Sequence, residues 1–150
     1  MKLILILVLF FSCISLASER TPNPSMTPGS YCTTHDNDFK EYRYKEQIAW
    51  CSRNVSHATK ADVYRSYGVE PDGNYTIDHL IPLSLGGSNS RDNLWPQHRS
   101  VYSGFLERRV YYRIRDGNIT RKDAVELILN FKYGRSLESF MEQPWILHRK

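Results

Sequence analysis

The sequence predicts an α+β domain, and three observations predict it. Two short extended segments, Tyr75-Thr76-Ile77 and Asn93-Leu94-Trp95, flank a long loop that contains Gly86-Gly87-Ser88. Two helix-period stretches follow, and no internal repeat, Gly-X-Y period or heptad runs through the chain. The length of 150 residues allows one domain. A chain with 41% hydrophobic, 13% aromatic and 24% charged residues is too apolar and too balanced in charge to be intrinsically disordered.

The elements are taken in chain order. Lys2 precedes an apolar run from Leu3 to Leu16 that ends in Ser15-Leu16-Ala17. That run is shorter than the ~20 residues needed to span a bilayer. Its basic start, apolar middle and small-residue end have the form of a secretion signal, so residues 1–17 are expected to be removed after Ala17 and the protein to be secreted or periplasmic. A retained anchor or buried helix is the alternative. Residues 18–30 hold Pro22, Pro24, Pro28 and Gly29 with few apolar side chains and are expected to form a flexible leader. The folded domain is then 31–150. Loss of the signal leaves Cys32 and Cys51, which in an exported protein predict a disulfide closing a loop of about 20 residues, worth roughly 3 kcal/mol in chain entropy. Zinc held by Cys32, His35, Cys51 and His57 is the competing reading, although the second spacing is unlike that of the usual finger pairs.

Residues 41–55 alternate Tyr42, Tyr44, Ile48 and Trp50 in a pattern that fits a strand or a short helix. Thr59 is placed to cap a helix through Ala61, Val63, Tyr64 and Tyr67 that Gly68 ends. The turn Pro71-Asp72-Gly73-Asn74 leads to the first extended segment, and Pro96 closes the second. Residues 100–115 carry Val101, Phe105 and Tyr112 near a helical repeat. Asp116-Gly117-Asn118 breaks that helix, and Thr120 with Asp123 opens a support helix through Ala124, Val125, Ile128 and Leu129 to Gly134. A turn at residues 136–141 and Trp145 are expected to pack back on the domain.

The chemistry is concentrated at Asp78-His79, at the end of the first extended segment. Neighbours on a strand point to opposite faces, but a strand ending before Pro82 lets both reach one site. A carboxylate beside an imidazole suits hydrolysis with a divalent ion, the carboxylate holding the ion and the neutral imidazole taking a proton from water.

The run DHLIPLSLGGSNSRDNLWPQ, from Asp78 to Gln97, resembles the HNH endonuclease family, with Asp-His, Pro, Gly-Gly-Ser and Asn-Leu in the family's order and spacing. The likeness is closest over 75–97 and extends more loosely to Arg115. It implies a ββα-metal hairpin and helix over about 75–115, to which the other helices are added. It implies His79 as general base, Asp78 as ligand to one divalent ion, most simply Mg²⁺ with Mn²⁺ or Zn²⁺ as alternatives, and Asn93 as the residue that orients the loop and the imidazole. The family's third position, nine residues after Asn93, is Tyr102 here, which does not replace an imidazole ligand. His98 and Glu107 are the candidates in its place, Glu107 offering the harder oxygen.

A nuclease must also hold a polyanion. The chain as a whole has a net charge of only +4, yet residues 91–115 hold six Arg against Asp92 and Glu107. Arg91 and Arg99 lie closest to Asn93 in sequence and are the candidates for phosphate contacts, which position a strand without reading its bases. The expectation is therefore an exported endonuclease acting on DNA, with RNA as a further candidate substrate, and with little sequence preference. The alternatives are an inactive nucleic-acid-binding module of the same fold and a small disulfide- or zinc-stabilised structural domain.

Overall fold

The computed structural model describes residues 20–101 and 103–137. The expected signal at 1–17, Tyr102, and the expected turn and packing of residues 138–150 lie outside the described residues. No described helix is long and apolar enough to cross a membrane.

The ambiguous region before Val55 is a hairpin. β1 (Phe39–Arg43) pairs antiparallel with β2 (Ile48–Cys51), and Tyr44 and Gln47 turn the chain with φ of 62° and 52°. Ile48 and Cys51 face inward. Cys51 is bonded to Cys32 at 2.02 Å. With both sulfurs joined, neither is a thiolate, so the zinc reading falls, and the nearby Asp36 carboxylate has no thiolate partners to complete a site. α1 (His57–Tyr67) is capped three residues before the expected Thr59. Ser56 is the N-cap, its hydroxyl accepting from the Thr59 N–H, and Gly68 closes the helix in the left-handed conformation at φ 63°.

β3 (Tyr75–His79) and β4 (Leu94–His98) form a second antiparallel pair, in register from Tyr75↔His98 to His79↔Leu94. β4 runs through Pro96 rather than ending there. Among the described residues each sheet has two strands, so β4 has a side without a described ladder partner, and a residue lacking an N–H is tolerated. A two-stranded sheet is marginal on its own. The helices supply the cover. α1 lies against β4, and α2 (Gly104–Arg115) packs on α3 (Arg121–Lys132). α2 buries Leu106, Val110 and Ile114, four residues apart, against Ala124, Val125, Leu127 and Ile128 of α3. Ile81 and Leu85 from the long loop and Ile48 from β2 complete this core. Phe105 and Tyr112, whose spacing marked the helix, are nearly half exposed at 45% and 46%. The aliphatic row is the one that meets α3. Thr120 caps α3 as expected, accepting from the Asp123 N–H. The result is a small α+β domain, as the sequence predicts.

The expected flexible leader is a correction from residue 21 on. Asn23 N–H donates to the Tyr67 hydroxyl, and the buried Thr27 hydroxyl contacts Tyr67 Oη and donates to the Leu94 carbonyl at 2.9 Å. The Gly29 N–H donates to the Asp92 carbonyl, the Ser88 N–H to the Ser30 carbonyl and the Cys32 N–H to the Gly86 carbonyl. The segment is a strap over the Gly-Gly loop. Its composition concealed this because hydrogen bonds, rather than apolar side chains, hold it.

Candidate active site

The loop between β3 and β4 is shaped from within by Asn93, which is fully buried. Its Oδ1 accepts from the Ile81 N–H at 2.9 Å, and its Nδ2 donates to the Ile81 and Ser88 carbonyls at 3.0 and 2.9 Å. One amide thus ties the two ends of the loop together. Gly87 makes room for it, since a Cβ there would lie 1.8 Å from the Ile81 carbonyl oxygen and 2.7 Å from Asn93 Nδ2. Gly86 holds φ at +80°, a conformation that favours glycine. Asn93 therefore orients the loop, as expected, but its side-chain bonds go to the loop backbone and not to the imidazole.

That task falls to Asn89, which the sequence reading missed. Its Nδ2 donates to the Ser52 carbonyl at 2.8 Å and to the Asp38 carboxylate, both at the open end of the β1–β2 hairpin. With its N–H groups committed, Oδ1 is an acceptor, and it faces Nε2 of His79 at 3.0 Å. Nε2 must then carry the proton. In the neutral imidazole the lone pair is left on Nδ1, which is buried and has no hydrogen-bond partner among the described residues. His79 as a whole is 1% exposed. Burial lowers its pKa below the ordinary 6.5; the Asn89 hydrogen bond opposes that shift and the Arg53 charge adds to it. The arrangement yields a neutral base of fixed tautomer.

Asp78 belongs to another cluster. β3 keeps its ladder through His79↔Leu94, so the pleat persists to the end of the strand and the two neighbours find different partners. Asp78 Oδ2 lies 2.7 Å from Lys132 Nζ, and Glu107 Oε1 lies 2.8 Å from the same nitrogen. Lys132 also donates to the His79 carbonyl at 2.5 Å. Its three protons thus meet three acceptors, and its side chain has no exposed surface. Ser103 donates to Glu107 Oε1 at 2.7 Å.

Two expected metal ligands, Asp78 and Glu107, are therefore brought together, with an ammonium between them. His98 is not. It pairs with Tyr75 at the far end of the ladder, roughly 13 Å along the strand from the His79 pair. Its ring lies edge-on to Tyr75, and its Nδ1 contacts the Ser100 hydroxyl at 2.7 Å. Mg²⁺ demands several hard oxygens in near-octahedral order. The donor set does not fit such an ion, because an oxygen of each carboxylate is already directed at a buried cation and the third candidate lies elsewhere. The two arginines are also separated. Arg91 is exposed on the turn before Asn93, at the His79 end of the hairpin, whereas Arg99 is exposed beyond the opposite end, where its N–H donates to the Asn74 carbonyl.

A cleft of about 450 Å³ runs along β3, lined by Tyr75, Thr76 and Ile77 and by residues 53–55, Lys60 and Tyr64. Its charged lining residues are Arg53 and Lys60, both exposed. Arg53 also acts on the imidazole electrostatically, which places a cation near His79 that the basic run at 91–115 did not reveal.

Of the residues missed, Asn89 and Lys132 had readable signals. Asn89 stands inside the quoted motif. Lys132 falls in step with Ala124 and Ile128 at four-residue spacing, a lysine in an apolar stripe. Asp38, Ser52 and Arg53 had none, because their relation to His79 is made by the hairpin and the disulfide.

Compared with protein-family models, curated proteins and solved structures, the chain finds no match in any of the three.

Proposed function

We propose that this chain is a phosphodiester hydrolase of the HNH kind, acting on nucleic acid outside the cytosol, with His79 Nδ1 as the general base. The observation that supports this most is the imidazole itself, a neutral ring with Nε2–H committed to Asn89 and a buried, unpartnered lone pair on Nδ1. A water held at Nδ1 loses its proton to that nitrogen as its oxygen bonds to phosphorus, the bond from phosphorus to one sugar oxygen breaks, the departing oxygen takes a proton from solvent water, and Asn89 backed by Asp38 steadies the imidazolium that forms. Because His79 is covered, the water and the phosphate reach it only after a local opening of the surrounding side chains. Arg53 and Lys60 provide the cationic lining that a phosphodiester backbone requires, and Arg91 extends it at the same end of the hairpin. These contacts fall on phosphates, so cleavage with little sequence preference follows. The Cys32–Cys51 disulfide fits an oxidising compartment.

A second reading, binding without cleavage, is favoured by one observation: the carboxylates expected to serve a metal are engaged by Lys132. One experiment separates the two. Purified protein is incubated with plasmid DNA and with RNA, each with and without EDTA, beside His79→Ala. Cleavage by the wild type that falls in His79→Ala supports the hydrolase. Equal cleavage by both refutes the base. Retention on DNA with no cleavage in any buffer establishes the second reading.

A further inference from the structure

We infer that the ammonium of Lys132 is the resident cation of the Asp78–Glu107 pair, so that this pair takes no divalent metal ion. The inference concerns the same site as the proposed hydrolase and, as far as catalysis is concerned, rests on that reading.

Three features of the geometry carry it. First, the lysine is complete: its three protons are directed at Asp78 Oδ2, Glu107 Oε1 and the His79 carbonyl at 2.7, 2.8 and 2.5 Å. A surface lysine seldom finds three acceptors at once, and an ammonium so held has no proton left to exchange for water. Second, it is sealed. The Lys132 side chain has no exposed surface, whereas Asp78 and Glu107 keep 19% and 24% of theirs. A divalent ion arriving from the solvent side would add two positive charges against an ammonium that lies behind both carboxylates. The two carboxylates and the lysine sum to a single negative charge, which offers a dication little in return for losing its water. Third, the lysine comes from α3, outside the β3–β4–α2 unit, and reaches its place on a rigid row with Ala124 and Ile128, both fully buried. Its bond to the His79 carbonyl holds the end of β3 at the residue that carries the imidazole. Lys132 is thus a positioning residue, joining the strand end, α2 and α3 through one charge.

The test uses the full chain and has a readout apart from activity. Mn²⁺ is titrated into the protein and free Mn²⁺ is followed by electron paramagnetic resonance, while melting is recorded in EDTA, Mg²⁺ and Mn²⁺. The expected result is no stoichiometric loss of the free-Mn²⁺ signal and one melting temperature in all three buffers. Binding of about one equivalent of Mn²⁺ that disappears in Asp78→Asn would overturn the inference, as would a rise in melting temperature with metal that the same variant removes. Lys132→Met is the complementary probe. It is expected to melt lower than the wild type and to gain a rise with Mn²⁺ as the freed carboxylates find a cation. If this variant does not fold, the triple change Lys132→Met, Asp78→Asn, Glu107→Gln removes all three charges together and is expected to recover a cooperative transition that is blind to Mn²⁺. The two claims separate cleanly. Cleavage absent from every buffer with Mn²⁺ unbound sinks the hydrolase and leaves the resident cation standing. Cleavage that requires Mg²⁺, with Mn²⁺ bound through Asp78, sinks the resident cation and leaves the hydrolase.

Discussion

Asp78 and His79 are adjacent on one strand, yet they serve unlike surroundings. On the His79 side the network is neutral at its centre and incomplete: Asn89 fixes one ring nitrogen and the other has no partner among the described residues. On the Asp78 side the network is charged and saturated, every proton of Lys132 being used. A buried polar atom without a partner is costly, and a bound water or a catalytic role accounts for such an atom. A saturated buried ion pair holds structure but has no group free to react. The pleat of β3 separates the two, so an unengaged ring nitrogen and a saturated ammonium stand one residue apart.

The comparison can be broken on either side. The largest effect is expected from the loop that supports the base. Gly87→Ala drives a methyl into the Ile81 carbonyl and Asn93, and should cost about 4 kcal/mol or more of stability, measured by urea denaturation. His79→Ala should lower cleavage by roughly 10²–10⁴-fold, the usual worth of a general base, and should also lower the urea midpoint, because a fully buried ring is removed and the Asn89 oxygen loses its donor. On the charged side, Lys132→Met leaves two carboxylates facing each other. A loss of about 3 kcal/mol is expected, at the lower end for a broken buried pair because both carboxylates reach solvent. If Lys132→Met instead left stability unchanged and abolished cleavage, the division of labour between the two sides would be wrong.

Acid sharpens the contrast more gently. The folded imidazole has a pKa below the unfolded 6.5, because burial disfavours its charge. As pH falls through 6.5 the unfolded chain takes up a proton that the folded chain resists, so this group lowers stability progressively from 6.5 down to its folded value and has no effect above 6.5. The acid limb of a cleavage profile is accordingly expected below pH 6.5. A limb above it would mean that His79 is solvated or is not the base.

Some of this was legible in the sequence and some was not, for physical reasons. Local signals did well. The left-handed Gly68 ended α1, Thr120 capped α3, and the segments around Ile77 and Leu94 became the paired strands. Asn93 was marked by its neighbours and does shape the loop. The disulfide followed from two cysteines and the expectation of export. What failed depended on facing partners. Phe105 and Tyr112 have helical spacing, but which row turns inward is decided by α3. The strap at 21–30 is held by backbone groups that composition does not report. Asp78 and His79 diverge because β3 continues to its last residue, which Pro82 three positions later did not reveal. Asn89 gains its meaning from Asp38 and Ser52, and Asp78 from Lys132, over separations of 37 to 54 residues.

The central claim, a neutral His79 with its proton on Nε2, is tested most directly by long-range ¹H–¹⁵N spectroscopy of the imidazole in the ¹⁵N-labelled chain at pH 7. The account predicts a protonated Nε2, an unprotonated Nδ1 and a titration below pH 6.5. A proton on Nδ1, or a doubly protonated ring at pH 7, would contradict it.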